Sequence, residues 1–215
     1  LEGFTHANYD YHQTMTTTRY QKSIKALDDY SHAVLKQSSN KKIAKYVTKG
    51  KFKGYAIRTL TLTERETCPT TCHHWDDCYG NNMPFAHRLD HSDPKLLMRR
   101  IRDDLLAHNW DRAGMLVRLH VLGDFFSVDY VRFWSMALDL FPGLACWGYT
   151  HREPASDIGI AIDNVRRTYP DRFAIRWSDQ PGRVFSANSA SAVVPDGSIT
   201  CPEQEDRAKG CGHCT

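Results

Sequence analysis

No stretch of this chain approaches the roughly 18–20 consecutive apolar residues that a membrane-spanning helix needs, and no basic-then-apolar signal segment opens it. It starts Leu1-Glu2 rather than with Met. It also lacks the polar bias of a disordered chain, being 41% hydrophobic and 25% charged. Internal repeats are missing, and so is a strong excess of either charge. The 28 Lys and Arg nearly cancel the 25 Asp and Glu, leaving +3 with histidines neutral, too little to argue for a nucleic-acid partner by itself. These absences point to a cytoplasmic globular protein with no membrane partner. Its 215 residues suit one domain, or one domain with an extension.

Cysteine is what the chain does have. There are seven, and six of them fall in two tight clusters: Cys68, Cys72 and Cys78, then Cys201, Cys211 and Cys214. A secreted disulfide scaffold is usually shorter and spreads its cysteines along the chain, whereas clustered thiols in a reducing compartment hold metal. Three thiolates on an eleven-residue loop can turn toward one centre, and soft sulfur ligands select zinc or iron–sulfur clusters. In the tail, Cys211-Gly-His-Cys214 has the form of a metal knuckle. Two arrangements fit: one centre per cluster, or a tail folded back so that four of the six thiols build one closed zinc site. His73, His74 and His213 are possible further ligands. Cys146, between Ala145 and Trp147, reads as a small buried hydrophobe.

From residue 55 the pattern alternates between strand and helix. Tyr55–Leu62, Met115–Leu122, Leu144–Tyr149 and Phe173–Trp177 read as strands. Helices are expected from Asp93-Pro94 to about Asn109, after the Ser127 cap, and after Ser156. Leu97, Ile101 and Leu105 form one buried stripe, and Val131, Trp134, Leu138 and Phe141 another. A further helix is expected over about Thr18–Leu35, from the spacing of Ile24, Leu27, Tyr30 and Val34, and a short strand at Ala192–Val194.

The class is α/β: a parallel-stranded partial (β/α) barrel of about 5–6 units, too few for a closed eightfold barrel. Residues 1–54 form an N-terminal helical extension with a basic segment, 55–200 the partial barrel, and 201–215 the Cys-rich C-terminal tail. Lys36–Lys53 carries seven lysines and no acid, which suits either a solvated face or phosphate contacts. In parallel β/α folds chemistry gathers at the C-terminal ends of the strands. That rim would hold the first cysteine loop, Gly123-Asp124, Thr150-His151-Arg152 and Ser178-Asp179. His151 and Asp124 are the candidate catalytic residues there, while His120, within the second strand, either lies in the core or faces the barrel interior. An acid after Gly123 suits an ammonium ligand, or simply the N-terminus of the next helix.

This order of features resembles the radical S-adenosylmethionine (SAM) enzymes. The residues that carry the likeness are the three-cysteine loop ending in Cys78-Tyr79, the Gly123-Asp124 end of the second strand, and the later β/α units. More closely, Val117-Arg118-Leu119-His120-Val121-Leu122-Gly123-Asp124-Phe125-Phe126, Trp147-Gly148-Tyr149-Thr150 and the terminal Cys201-Pro202-Glu203-Gln204…Cys211-x-x-Cys214 resemble a group of phage-encoded proteins. The resemblance implies a [4Fe–4S] cluster on Cys68, Cys72 and Cys78, with SAM chelating the open iron. It also implies Tyr79, Gly123, Asp124, Ser178 and Asp179 near SAM, an auxiliary site on Cys201, Cys211 and Cys214, and an electron donor as partner. The implied reaction is radical hydrogen abstraction, with a nucleotide or nucleic acid as the substrate class in the host cytoplasm. The loop departs from the superfamily's usual spacing, with Cys-x3-Cys-x5-Cys in place of Cys-x3-Cys-x2-Cys. The competing readings are a zinc-stabilised nucleic-acid-binding protein without catalysis, and a zinc hydrolase with His151 or Asp124 as base.

Overall fold

The structure, a computed structural model, describes residues 16–40, 42–178, 186–187 and 207–213. In chain order the elements are β1 (Ile24–Lys25), β2 (Ala56–Thr59), β3 (Arg88–Leu89), α1 (Pro94–Ala107), β4 (Met115–Leu119) and α2 (Val128–Leu140). They are followed by β5 (Leu144–Thr150), α3 (Asp157–Thr168), β6 (Phe173–Ser178) and β7 (Ser186–Ala187). The main sheet is five-stranded and parallel throughout, in the order β2-β4-β5-β6-β7, and β1 pairs with β3 in a separate parallel ribbon. Neighbours in the sheet are neighbours in sequence, the winding of a barrel segment rather than of a doubly wound sheet. The expected α/β class with a parallel, partial β/α sheet is what the chain forms.

The helix signals act as read. Asp93, Ser127 and Ser156 cap α1, α2 and α3, each side chain accepting from a first-turn amide, which satisfies a donor the helix cannot. Leu97, Ile101, Leu105, Val131, Trp134 and Leu138 are fully buried. They pack on Met115, Val117, Leu119, Cys146, Phe173 and Ile175, the residues that alternate along one face of the sheet. The opposite face starts with Ile57, Leu116 and Ala145, covered by Ile43, Val47, Phe52 and Tyr55. Further along, Arg118, Trp147, Tyr149 and Arg176 are partly or fully exposed on that face.

The expected helix over 18–35 does not form. Gln21–Ser23 is a single 3-10 turn, followed by β1 and bends. The reason lies on α1, whose side chains take the backbone groups a helix would have paired internally. Arg100 donates to the carbonyls of Leu27, Tyr30 and His32 at 2.6–3.0 Å. Asp104 accepts from the amides of Val34 and Leu35 at 2.6 and 2.8 Å. Backbone groups satisfied from outside remove the local incentive to coil. Leu27, Tyr30 and Val34 are nonetheless buried, in the same core as the sheet. The stretch before residue 55 therefore shares that core. The expected strand at Ala192–Val194 lies outside the described residues.

His120 is the core histidine. It is 6% exposed, its Nε2 stands 3.0 Å from the Tyr130 hydroxyl, and burial pushes its pKa down to about 3. A folded pKa below the unfolded value means stability is complete above about pH 6.5 and falls as pH drops toward the folded pKa, by roughly 1.4 kcal/mol per unit. Between pH 7 and pH 5 the wild type is therefore expected to lose roughly 2 kcal/mol more than His120→Gln in denaturant titrations. Equal losses in the two proteins would show that His120 meets the solvent.

Candidate functional site

The first cysteine loop leaves the C-terminal side of β2 and is built from successive tight turns. Amides of Cys68, Cys72 and Trp75 donate to the carbonyls of Arg65, Pro69 and Cys72, and the Asn81 amide to that of Cys78. Arg65 holds this loop from within. It adopts a left-handed φ of +67°, which costs a non-glycine residue roughly 1–2 kcal/mol. Its guanidinium donates to the Trp75 carbonyl (3.1 Å) and Asn81 Oδ1 (2.9 Å), which offsets that strain. Cys68, Cys72 and Cys78 are free thiols of intermediate exposure. Burial pushes Cys68 up to about 12, with the Asp124 charge adding to it, and burial raises Cys72 and Cys78 as well. Protonated thiols of this kind suit a ligand set that a metal deprotonates rather than a cysteine nucleophile, which needs a depressed pKa.

Below the loop lies a buried ion pair. Arg88 Nε donates to Glu64 Oε2 at 2.6 Å and Nη2 to Oε1 at 2.9 Å, with the two side chains 0% and 2% exposed. Arg88 also donates to Ser23 Oγ and to the carbonyls of Gly80, Met83 and Ala86. One guanidinium thus fixes the chain on either side of Cys78 against β1.

Asp124 occupies the rim as expected, but as a clasp. It is 3% exposed. Its Oδ1 accepts from the Phe125 amide and the Thr150 hydroxyl, both at 2.7 Å, and Oδ2 from the His151 amide at 2.8 Å. Burial pushes its pKa up to about 6, and those three donors and the Arg152 charge pull the other way. A carboxylate has about four lone-pair directions, and these donors occupy three of them. The Asp124 amide donates to Thr67 Oγ1 (3.1 Å), whose hydroxyl donates to the Thr63 carbonyl (2.7 Å). Arg152 completes the tie, donating to the carbonyls of Phe125 and Thr67, both at 2.6 Å. Thr67 immediately precedes Cys68, so the first thiol is registered against the ends of β4 and β5.

Gly123 is needed here for packing. Its φ is +83°, and a Cβ would come within 2.5 Å of Thr67 Oγ1 and 2.8 Å of Leu62 Cβ. The space beside it is filled by Thr67 and Leu62, on the approach to the cysteine loop. His151 stands at the rim with His73 and His74, the three ring centroids 5.3–5.8 Å apart and edge to face. Among the described residues no group of three or more His, Cys, Asp or Glu side chains is set to hold a metal ion. The metal reading therefore rests on the chemistry of the three thiols and their common loop.

Tyr79 begins a short 3-10 turn, Tyr79–Asn82, is 53% exposed and lies beside Arg118. The Arg118 guanidinium stands 5.8 Å over the Tyr149 ring, and its buried Nε has no hydrogen-bond partner among the described residues. Ser178 ends β6 in register with Ala187, while Asp179, Cys201 and Cys214 lie outside the described residues. Cys211 packs near Ile57, Leu116 and Ala145 at the N-terminal end of the strands, opposite the Cys68–Cys78 loop. Its amide donates to the Lys42 carbonyl, and the Thr48 amide to that of Gly212. Cys211 therefore stands apart from the Cys68–Cys78 loop. The lysine run supplies this docking strip.

Sequence reasoning passed over Glu64, Arg65, Thr67 and Arg88, which no local signal marks, and it placed Arg152 on the rim without giving it a role. Residues 33–172, about two thirds of the chain, match the family described as gene product 88. No curated protein matches the chain. No solved structure matches it.

Proposed function

The chain belongs to the gene product 88 family, and we propose that it is an iron–sulfur enzyme of the radical SAM type. One observation carries this reading: Thr67, the residue before the first thiol, is hydrogen-bonded to Asp124 and Arg152. It supports a three-thiol loop, an acidic segment after the next strand and the β5 rim acting as one unit. Cys68, Cys72 and Cys78 would hold the cluster, leaving one iron open. A [4Fe–4S] cluster, when bound, supplies the single electron that cleaves the sulfonium carbon–sulfur bond of SAM and opens radical hydrogen abstraction. The chain's own residues orient and shield. Asp124 holds the His151 amide and keeps one lone pair for an ammonium, and Arg152 keeps the loop in register. Arg118 and Tyr149 offer a cation and an aromatic face to an anionic group on the open side of the sheet. An electron donor is the implied partner, and a nucleotide or nucleic acid the implied substrate class.

Protein purified without oxygen is expected to be brown, with broad absorption around ~400 nm from thiolate-bound iron. Cys68→Ser, Cys72→Ser and Cys78→Ser should each lose that iron, and Cys146→Ala, altering the buried core thiol, should keep it. Stoichiometric zinc without iron under anaerobic purification overturns the proposal in favour of a zinc-stabilised binding protein.

A further inference from the structure

A second feature lies on the far side of the cysteine loop. A groove of about 600 Å³ runs between residues 19–25 and the turn 84–87, and its walls include Arg19, Lys22, Lys25, Phe85 and His87. Among the described residues no Asp or Glu lines it. Lys36 borders it, its Nζ 3.0 Å from His87 Nδ1, and burial and the Lys25 charge both lower the Lys36 pKa. The Lys25 charge acts on Lys36 because the two cations stand near one another. Among the described residues no ion pair engages Arg19, Lys22, Lys25 or Lys36. Phe85 stands at the groove with 93% of its surface exposed. A phenyl ring held in water gains nothing for the fold, since burial is what stabilises an aromatic side chain.

The groove is rigidly built. Parallel pairing of Ile24 with Arg88 and Lys25 with Leu89 joins its two walls. From beneath, buried Arg88 donates to Ser23 Oγ on one wall and to the Met83 and Ala86 carbonyls that flank Phe85 on the other. Tyr20 donates to the Asn81 carbonyl at 2.5 Å, tying the groove to the turn that follows Cys78. Phe85 is thus presented on a turn fixed from its buried side, an arrangement that lowers the ordering cost of binding.

We propose that this groove binds single-stranded nucleic acid, with Arg19, Lys22, Lys25 and Lys36 tracking the phosphates and a base stacked on Phe85. A cationic channel with an exposed ring is the combination that single strands use, because every unpaired base offers a π-face and a duplex does not. An acidic peptide would use the cations but leave the ring without a partner. An anionic membrane would call for more apolar surface than one ring. The proposal does not rest on the metal reading, since no groove residue is a candidate ligand.

The test is fluorescence anisotropy of the full chain with labelled oligo-dT, oligo-U and a DNA duplex of equal length, at several salt concentrations. Both single strands are expected to bind more tightly than the duplex, and the dT and U arms separate DNA from RNA as the preferred source. Phe85→Ala should weaken binding about tenfold and Phe85→Trp should restore it, as loss and replacement of a stacking face. Lys22→Ala/Lys25→Ala should weaken binding and reduce the log–log salt slope by about 1.4, for two phosphate contacts. Lys51→Ala/Lys53→Ala, which removes equal charge elsewhere, should change affinity less than twofold. The Cys68→Ser protein should bind as the wild type does, which separates this result from the fate of the metal reading. Affinity indifferent to Phe85→Ala, equal losses in the two lysine variants, or Phe85-dependent binding to phosphatidylserine vesicles without oligonucleotide binding overturns the proposal.

Discussion

Arg88→Met is expected to cost about 3–5 kcal/mol in denaturant titrations, because it strands the Glu64 carboxylate in a site that excludes water. Against the 5–15 kcal/mol typical of a whole domain, that is enough to unfold a large share of the molecules on mild heating. The carbonyls of Gly80, Met83 and Ala86 and the Ser23 hydroxyl lose their donor at the same time. The double variant Glu64→Leu/Arg88→Met separates the two contributions. Replacing both members of a buried pair by apolar groups is often close to neutral, so the double variant should regain most of the ion-pair loss. What stays lost is the anchoring of residues 80–86. A double variant no more stable than Arg88→Met would show that the carbonyl contacts dominate.

Asp124→Ala leaves three donors unsatisfied at once: the Thr150 hydroxyl and the Phe125 and His151 amides. At roughly 1–3 kcal/mol for each buried unsatisfied group, the expected loss is several kcal/mol. Asp124→Asn is the sharper experiment. Its side-chain oxygen can still serve Phe125 and Thr150, while its NH2 group faces the His151 amide, donor against donor. The expected result is a smaller loss of stability, with faster hydrogen exchange at the His151 amide. If Asp124 served only to receive a ligand's ammonium group, Asp124→Ala would leave the stability of the unliganded protein unchanged.

The locally encoded parts of the fold were legible along the chain. Capping residues and apolar periodicity located α1, α2 and α3, because a cap and a buried stripe act within one or two turns. Strands β2, β4, β5 and β6 followed from β-branched and aromatic runs, and their alternation with helices indicated parallel pairing. The position of Cys68, Cys72 and Cys78 after the first strand of the main sheet, and of Asp124 and His151 at its rim, came from the same reasoning. The stretch 18–35 is not a helix, although Leu27, Tyr30 and Val34 of its expected stripe are buried and Ile24 is half-buried. Apolar spacing reports which side chains are buried, and it is silent when Arg100 and Asp104 take over the backbone hydrogen bonds.

By itself, then, the sequence determined the α/β class, the capped helices, the thiol loop and the rim on which it stands, all set by contacts between residues near in the chain. Only the tertiary structure decided that Glu64 and Arg88 form the buried anchor under that loop, and that Arg152 and Thr67 register Cys68 against Asp124. It alone placed Cys211 at the opposite end of the sheet from the first cluster, and Phe85 bare among cations. Each of these joins segments distant in sequence. What selects them is the cost of burying a charge or a backbone carbonyl without a partner, which arises only once the chain has closed around it.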